Sequence, residues 1–250
     1  MLIRRSGEAG TAGEQADALW FNPPDAGQSA RRALTRERVI AEALAVIAAD
    51  GAESFSMRAL AARLGVVPGA LYRHVRGKEQ LYDLILDAVL AEVDCRADPT
   101  APWTAQVAAL ARRLRAALES HPGVAALLKT RDPLSPASLA LAEAFLAPLL
   151  ATGLPGRQAA LAFRLIYDYT LGFALADPTS PAEQRLRDTA TREQLHAFIR
   201  SLPANRFPAL AAYGTYAWGG DRDQRFAVGL DTLLRGIQAN QQPSGISPDS

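Results

Sequence analysis

Ser56 to Lys78 reads SMRALAARLGVVPGALYRHVRGK, and this stretch decides the fold. Ser56 is a residue type that caps a helix N-terminus, and Leu60 and Leu64 stand four apart on one face of the helix it opens. Gly65 supplies the turn. Pro68 suits the first position of a second short helix, where its missing N–H costs nothing. Leu71 and Val75 give that helix an inward edge, and Gly77 breaks it. Two short helices about a glycine turn, the second carrying Tyr72, Arg73 and His74, are the pattern of a helix-turn-helix reader of DNA.

Working outward, Thr35 caps an earlier helix with Glu37 in its first turn, where the helix dipole favours an acid. Ile40, Ala43, Leu44 and Ile47 give it one apolar face, and Gly51 ends it. Beyond Gly77, Leu81, Leu84, Ile85, Ala88 and Val89 predict a long fourth helix ending near Ala97. Residues 35–80 thus form a three-helix head, with the fourth helix leading out of it. Residues 1–34 lack periodicity and read as a flexible arm, with Trp20-Phe21 as an anchor onto the body. Arg31 and Arg32 either reach into a minor groove or form a solvated pair.

After Asp98-Pro99 the chain is helical and apolar as far as residue 240. Val107, Leu110, Leu114 and Leu118 mark a helix closed by His121-Pro122-Gly123. A short piece at Val124–Lys129 follows, then helices over Ser135–Thr152 and Pro155–Ala176. Asp177–Arg187 reads as a polar linker. Helices near Arg192–Ser201 and Asp223–Ala239 complete the body, residues 241–250 are a disordered tail, and no strand run is present. The fold class is all-α.

Net charge is +1, yet residues 31–80 hold nine Lys/Arg against five Asp/Glu, so positive charge gathers on the reader. One cysteine, Cys95, excludes an intrachain disulfide and fits a reducing cytoplasm. One Cys and three scattered His give no metal site, and no cofactor motif occurs. No apolar run reaches about 20 residues, so no membrane span is expected. The chain carries no nucleophile–base pattern of an enzyme.

The head resembles the DNA-binding domain of the tetracycline-repressor (TetR) family of transcription regulators, through MRALAARLGVVPGALYRHVRGKEQLYDLIL. The body is similar in His121-Pro122, in RLIYDYTLGFAL and in FAVGLDTLLRGI, so the likeness covers residues 35–240. It implies a homodimeric repressor of double-stranded operator DNA with a C-terminal ligand-binding and dimerisation domain and an unidentified small-molecule effector. Carried over by position, DNA contacts fall to Ser56, Arg58, Val67, Pro68, Gly69, Ala70, Tyr72, Arg73, His74 and Lys78. Arg73 can read guanine bidentately, whereas Ser56 also serves as a cap and His74 can satisfy a backbone group.

The expected pocket residues are Trp103, Leu110, Leu114, Phe145, Leu149, Phe163, Ile166, Tyr167, Thr170 and Phe173, each more readily read as core than as a ligand contact. Phe226, Leu230, Leu233, Leu234 and Ile237 are expected at the dimer interface. Arg164 and Asp168 pair with each other or across that interface. The family's namesake binds a metal-chelated drug with a histidine late in helix four, and ungapped extension puts Asp94 there. The rival readings are a regulator whose body only dimerises or holds a protein partner, and an all-helical enzyme.

Overall fold

The computed structural model describes residues 34–131, 134–176, 188–217 and 221–241. The readings of the arm up to residue 33, of the 177–187 linker and of the tail from residue 242 lie outside the described residues. Every regular element described is a helix.

The head begins with α1 (Arg36–Asp50), whose cap Thr35 accepts a hydrogen bond from the Arg38 N–H at 3.2 Å. Its buried face is Val39, Ala43, Val46 and Ile47. Ile40 and Leu44, expected on that face, lie on its half-buried flank. α2 (Met57–Leu64) is capped by Ser56 and ends at Gly65 with φ +69°. There the Val66 N–H bonds back to the Ala61 carbonyl and the Gly65 N–H to Ala62, the glycine-dependent Schellman closure. α3 (Pro68–Leu71) opens with its proline, and turn hydrogen bonds carry the rotation on to Val75.

α4 (Lys78–Ala91) buries Leu81, Tyr82, Ile85, Leu86, Val89 and Leu90, and so belongs to the cores of both head and body. It stops at Ala91, short of the expected Ala97. Asp94 turns its carboxylate onto the N–H and guanidinium of Arg96, and Asp98 binds Thr100, so local side-chain bonds replace the helical ladder.

The body comprises α5 (Trp103–Ser120), α6 (Val124–Thr130), α7 (Pro136–Leu150), α8 (Gly156–Leu175), α9 (Thr189–Arg200), α10 (Pro208–Ala217) and α11 (Arg222–Ala239). The sequence pattern does not predict α10. α5, α7 and α8 pack mutually, α4 lies against α7, and α9 and α10 pack mainly on each other. α6 touches α1, α4 and α8, and so bridges head and body. The bridge is tight at Gly123, φ +85°, where an added Cβ would lie 2.9 Å from Ile47 Cγ2 and 3.1 Å from the Ile47 carbonyl oxygen.

Candidate DNA-contacting surface and ligand groove

Leu60, Ala61, Leu64, Leu71 and Val75 pack inward, which turns the opposite edges of α2 and α3 outward. Ser56, Arg58, Val67, Pro68, Gly69, Tyr72 and Arg73 are exposed there, and Ala70, His74 and Lys78 are half-buried. All ten residues expected to contact DNA therefore lie in one stretch spanning α2, the turn and the start of α4. Val67 and Tyr72, 70% and 54% exposed, stand on this same outward edge. Ser56 also performs its capping role, accepting from the Ala59 N–H at 3.2 Å. The backbone of His74 is engaged, its carbonyl accepting from Arg36 at 3.4 Å.

Lys78 has a second job that the sequence did not reveal. Its Nζ donates to the Phe55 carbonyl at 2.7 Å and lies 5.7 and 5.4 Å from the ring centroids of Phe55 and Tyr82. Tyr82 in turn donates to the Ala52 carbonyl at 2.8 Å. The ammonium thus ties the start of α4 to the segment before α2. Lys78→Ala is expected to lower head stability by about 1–2 kcal/mol, because a charged hydrogen bond to a half-buried carbonyl is lost. Urea unfolding followed by circular dichroism measures this; an unchanged midpoint would show the clamp to be idle.

The expected pocket residues divide. Leu110, Leu114, Phe145, Leu149, Ile166 and Thr170 are packed in the core, and the Thr170 hydroxyl is already bonded to the Ile166 carbonyl. Phe173 packs against Tyr169 and Phe226. Phe163 and Tyr167 line a groove of ~230 Å³ beside Leu134 and Leu139. Trp103 lines a larger groove, ~920 Å³ and open to solvent, between the segment after α4, the start of α5 and the face of α7. Its α7 side is lined by the small or compact residues Ala140, Ala144, Ala147, Pro148 and Ala151; Gln106, Glu143, Thr152 and Gln241 supply the polar groups. Asp94 lies outside α4, and its bonds from Arg96 hold its pKa down at about 2.

Phe226, Leu230, Leu234 and Ile237 are buried within their own protomer, and Leu233 is half-buried. The stripe expected to face a partner is instead the inner face of α11, already covered by α5 and α8. Arg164 and Asp168 are exposed and paired with each other at 3.0 Å.

The sequence pattern also does not predict a charge network built on two buried arginines, Arg115 and Arg222. Arg115 binds Glu119 at 2.7 Å and Asp223 at 2.5 Å, and Arg222 binds Glu119 and the carbonyls of Phe173 and Ala176. Burial alone would lower the Arg115 pKa, but the carboxylates outweigh it and hold the guanidinium above its usual range. The network fastens α11 to α5 and to the end of α8. An Arg–Glu pair four apart inside an apolar helix was the available signal.

Residues 39–85 match the family model for bacterial regulatory proteins of the tetR family. Residues 97–241 match the tetracyclin repressor-like C-terminal domain. The chain belongs to the tetracycline-repressor family. It is a DNA-binding transcriptional regulator, with the helix-turn-helix head and helical body of that family. An HTH-type transcriptional regulator of Saccharopolyspora erythraea is 34% identical over 224 residues, covering 89% of this chain and 92% of that one. The HTH-type transcriptional repressor DrrR1 of Streptomyces coeruleorubidus is 30% identical, covering 94% and 90%. The solved structure of the TetR family protein ActR of Streptomyces coelicolor, in complex with actinorhodin, is similar at a TM-score of 0.73 and 31% identity, covering 84% of this chain and 100% of that one. No described helix is long and apolar enough to cross a membrane.

Proposed function

We propose that the chain is a homodimeric repressor, released from its operator by a small organic effector held in the groove at Trp103. The position of that groove carries the reading. Its walls include Cys95, Ala97 and Pro99, the segment that follows the helix shared by head and body, so an occupant touches the path between them. The small alanine side chains of α7 and the Trp103 indole, with few polar groups among them, suit a largely apolar molecule. ActR holds actinorhodin in its complex, which supports a body of this kind accepting small organic molecules. An effector that favours one arrangement of the heads by about 1–3 kcal/mol is sufficient for release.

For the dimer, the outer faces of α8 and α11 offer Leu161, Leu165 and Val228, which are 57%, 47% and 60% exposed. The two leucines border a further groove of ~370 Å³ with Leu154, Ala162 and Ile237. Two such faces related by a two-fold axis would bury one another.

The effector reading is tested with Ala144→Trp, which places an indole into the groove from α7. A panel of planar polycyclic compounds is titrated against the operator complex. Compounds that release the natural chain are expected to lose that effect with Ala144→Trp, while effector-free operator affinity stays the same. Release that persists in the variant would place the effector elsewhere.

A further inference from the structure

We propose that Arg131 is a positioning residue that fixes each head relative to the body and thereby sets the spacing between the two half-sites the dimer accepts. The inference rests on the dimeric reading above. Arg131 follows α6 in the body, yet its guanidinium lies on the first two turns of α4. It binds the Glu79 carboxylate, and the Asp83 carboxylate at 2.9 Å and 3.1 Å, and Nη2 donates to the Glu79 carbonyl at 3.4 Å. Glu79 and Asp83 stand four apart, so one planar fork spans a full turn of the helix. The side chain is only 23% exposed, and its Cζ lies 5.9 Å from the centroid of Tyr82.

Tyr82 makes the contact matter for DNA. The same ring lies beneath the Lys78 ammonium, and its hydroxyl holds Ala52 in the loop before α2. Arg131 therefore grips the end of α4 that is joined to the reading elements. The other end is held separately. The Asp87 carboxylate accepts from the Ala137 N–H at 3.0 Å, Glu92 meets His121 at 2.9 Å, and Arg113 donates to the carbonyls of Asp94 and Arg96. With Arg131 gone, α4 stays anchored at the far end and gains freedom at the end nearest DNA.

A two-fold dimer reads half-sites about one helical turn apart, so freedom at the head translates into tolerance of altered spacing. Pre-organised heads pay little ordering entropy on the matching site and are strained on a mismatched one. Exposed carboxylates limit the strength of such pairs, which bounds the effect to a modest factor.

The test uses full-length protein and duplexes selected from a random pool by the natural chain. Affinities are measured for the selected duplex, for versions with one base pair added or removed at the centre, and for a single half-site. Arg131→Gln should reduce the ratio of correct to altered spacing by about three-fold or more, while single half-site affinity stays unchanged. Asp83→Asn, on the opposite side of the pair, should act in the same direction and serves if the first variant folds poorly. Arg131→Lys, which keeps the charge without the fork, should fall between. A ratio that changes by less than three-fold in both Arg131→Gln and Asp83→Asn overturns the proposal. Recovery of only single, unpaired half-sites by the natural chain would overturn it through the dimer reading itself, a distinct result.

Discussion

Replacing Leu165 and Val228 together by aspartate should give a folded monomer whose operator affinity falls by about 10²–10⁴-fold. That is the avidity lost when two linked binding events become one. Both side chains are exposed on the isolated protomer, so the carboxylates stay in water and folding is spared. Against a second copy they would be buried and unpaired, a cost no small interface bears. Leu230→Asp is the informative contrast. Leu230 is 1% exposed inside its own protomer, so its carboxylate disrupts the fold rather than the assembly. Sedimentation equilibrium at micromolar concentration, together with a thermal melt, separates the two. A double variant that remains dimeric would remove α8 and α11 as the interface.

Arg73→Ala should erase discrimination at one base pair in each half-site, by about 1–3 kcal/mol per half-site. Arg73 is exposed beyond α3, beside Tyr72, and has no ion-pair partner among the described residues. Its neighbours Pro68, Gly69 and Ala70 offer only apolar side-chain contact or none, so no side chain of α3 can replace it. Enrichment of a random pool by the variant, compared with that by the natural chain, reads the effect directly. An unchanged preference at every position would remove Arg73 as a base reader. Lys78→Ala, by contrast, should weaken all sequences alike, since it loosens the clamp on Phe55 and removes a positive charge without touching a base edge.

The head was legible because its signals are local. Ser56, Gly65 and Pro68 each fix a cap, a turn or a helix start through their own backbone chemistry, and the structure uses them in that way. The end of α4 was not legible, because the Asp94–Arg96 bond competes with the helix and an apolar pattern does not register it. Periodicity marked the apolar face of α11 correctly but not what covers it, since Leu230 meets its own chain as readily as a partner. The same ambiguity affected the pocket. Leu114 and Ile166 share the pattern of Trp103, and only packing distinguishes core from groove. Arg131 with Glu79, and Lys78 with Phe55, join residues 52 and 23 positions apart, a separation at which the sequence carries no pairing signal.

The central claim is sequence-specific DNA binding by a symmetric pair of heads. The measurement that tests it most directly is a stoichiometric titration of the natural chain, at physiological salt, against its pool-selected duplex and a scrambled duplex of equal length. The account predicts two protomers per selected duplex and an affinity at least about 10³-fold tighter than for the scrambled one. Equal affinity for the two duplexes would contradict it.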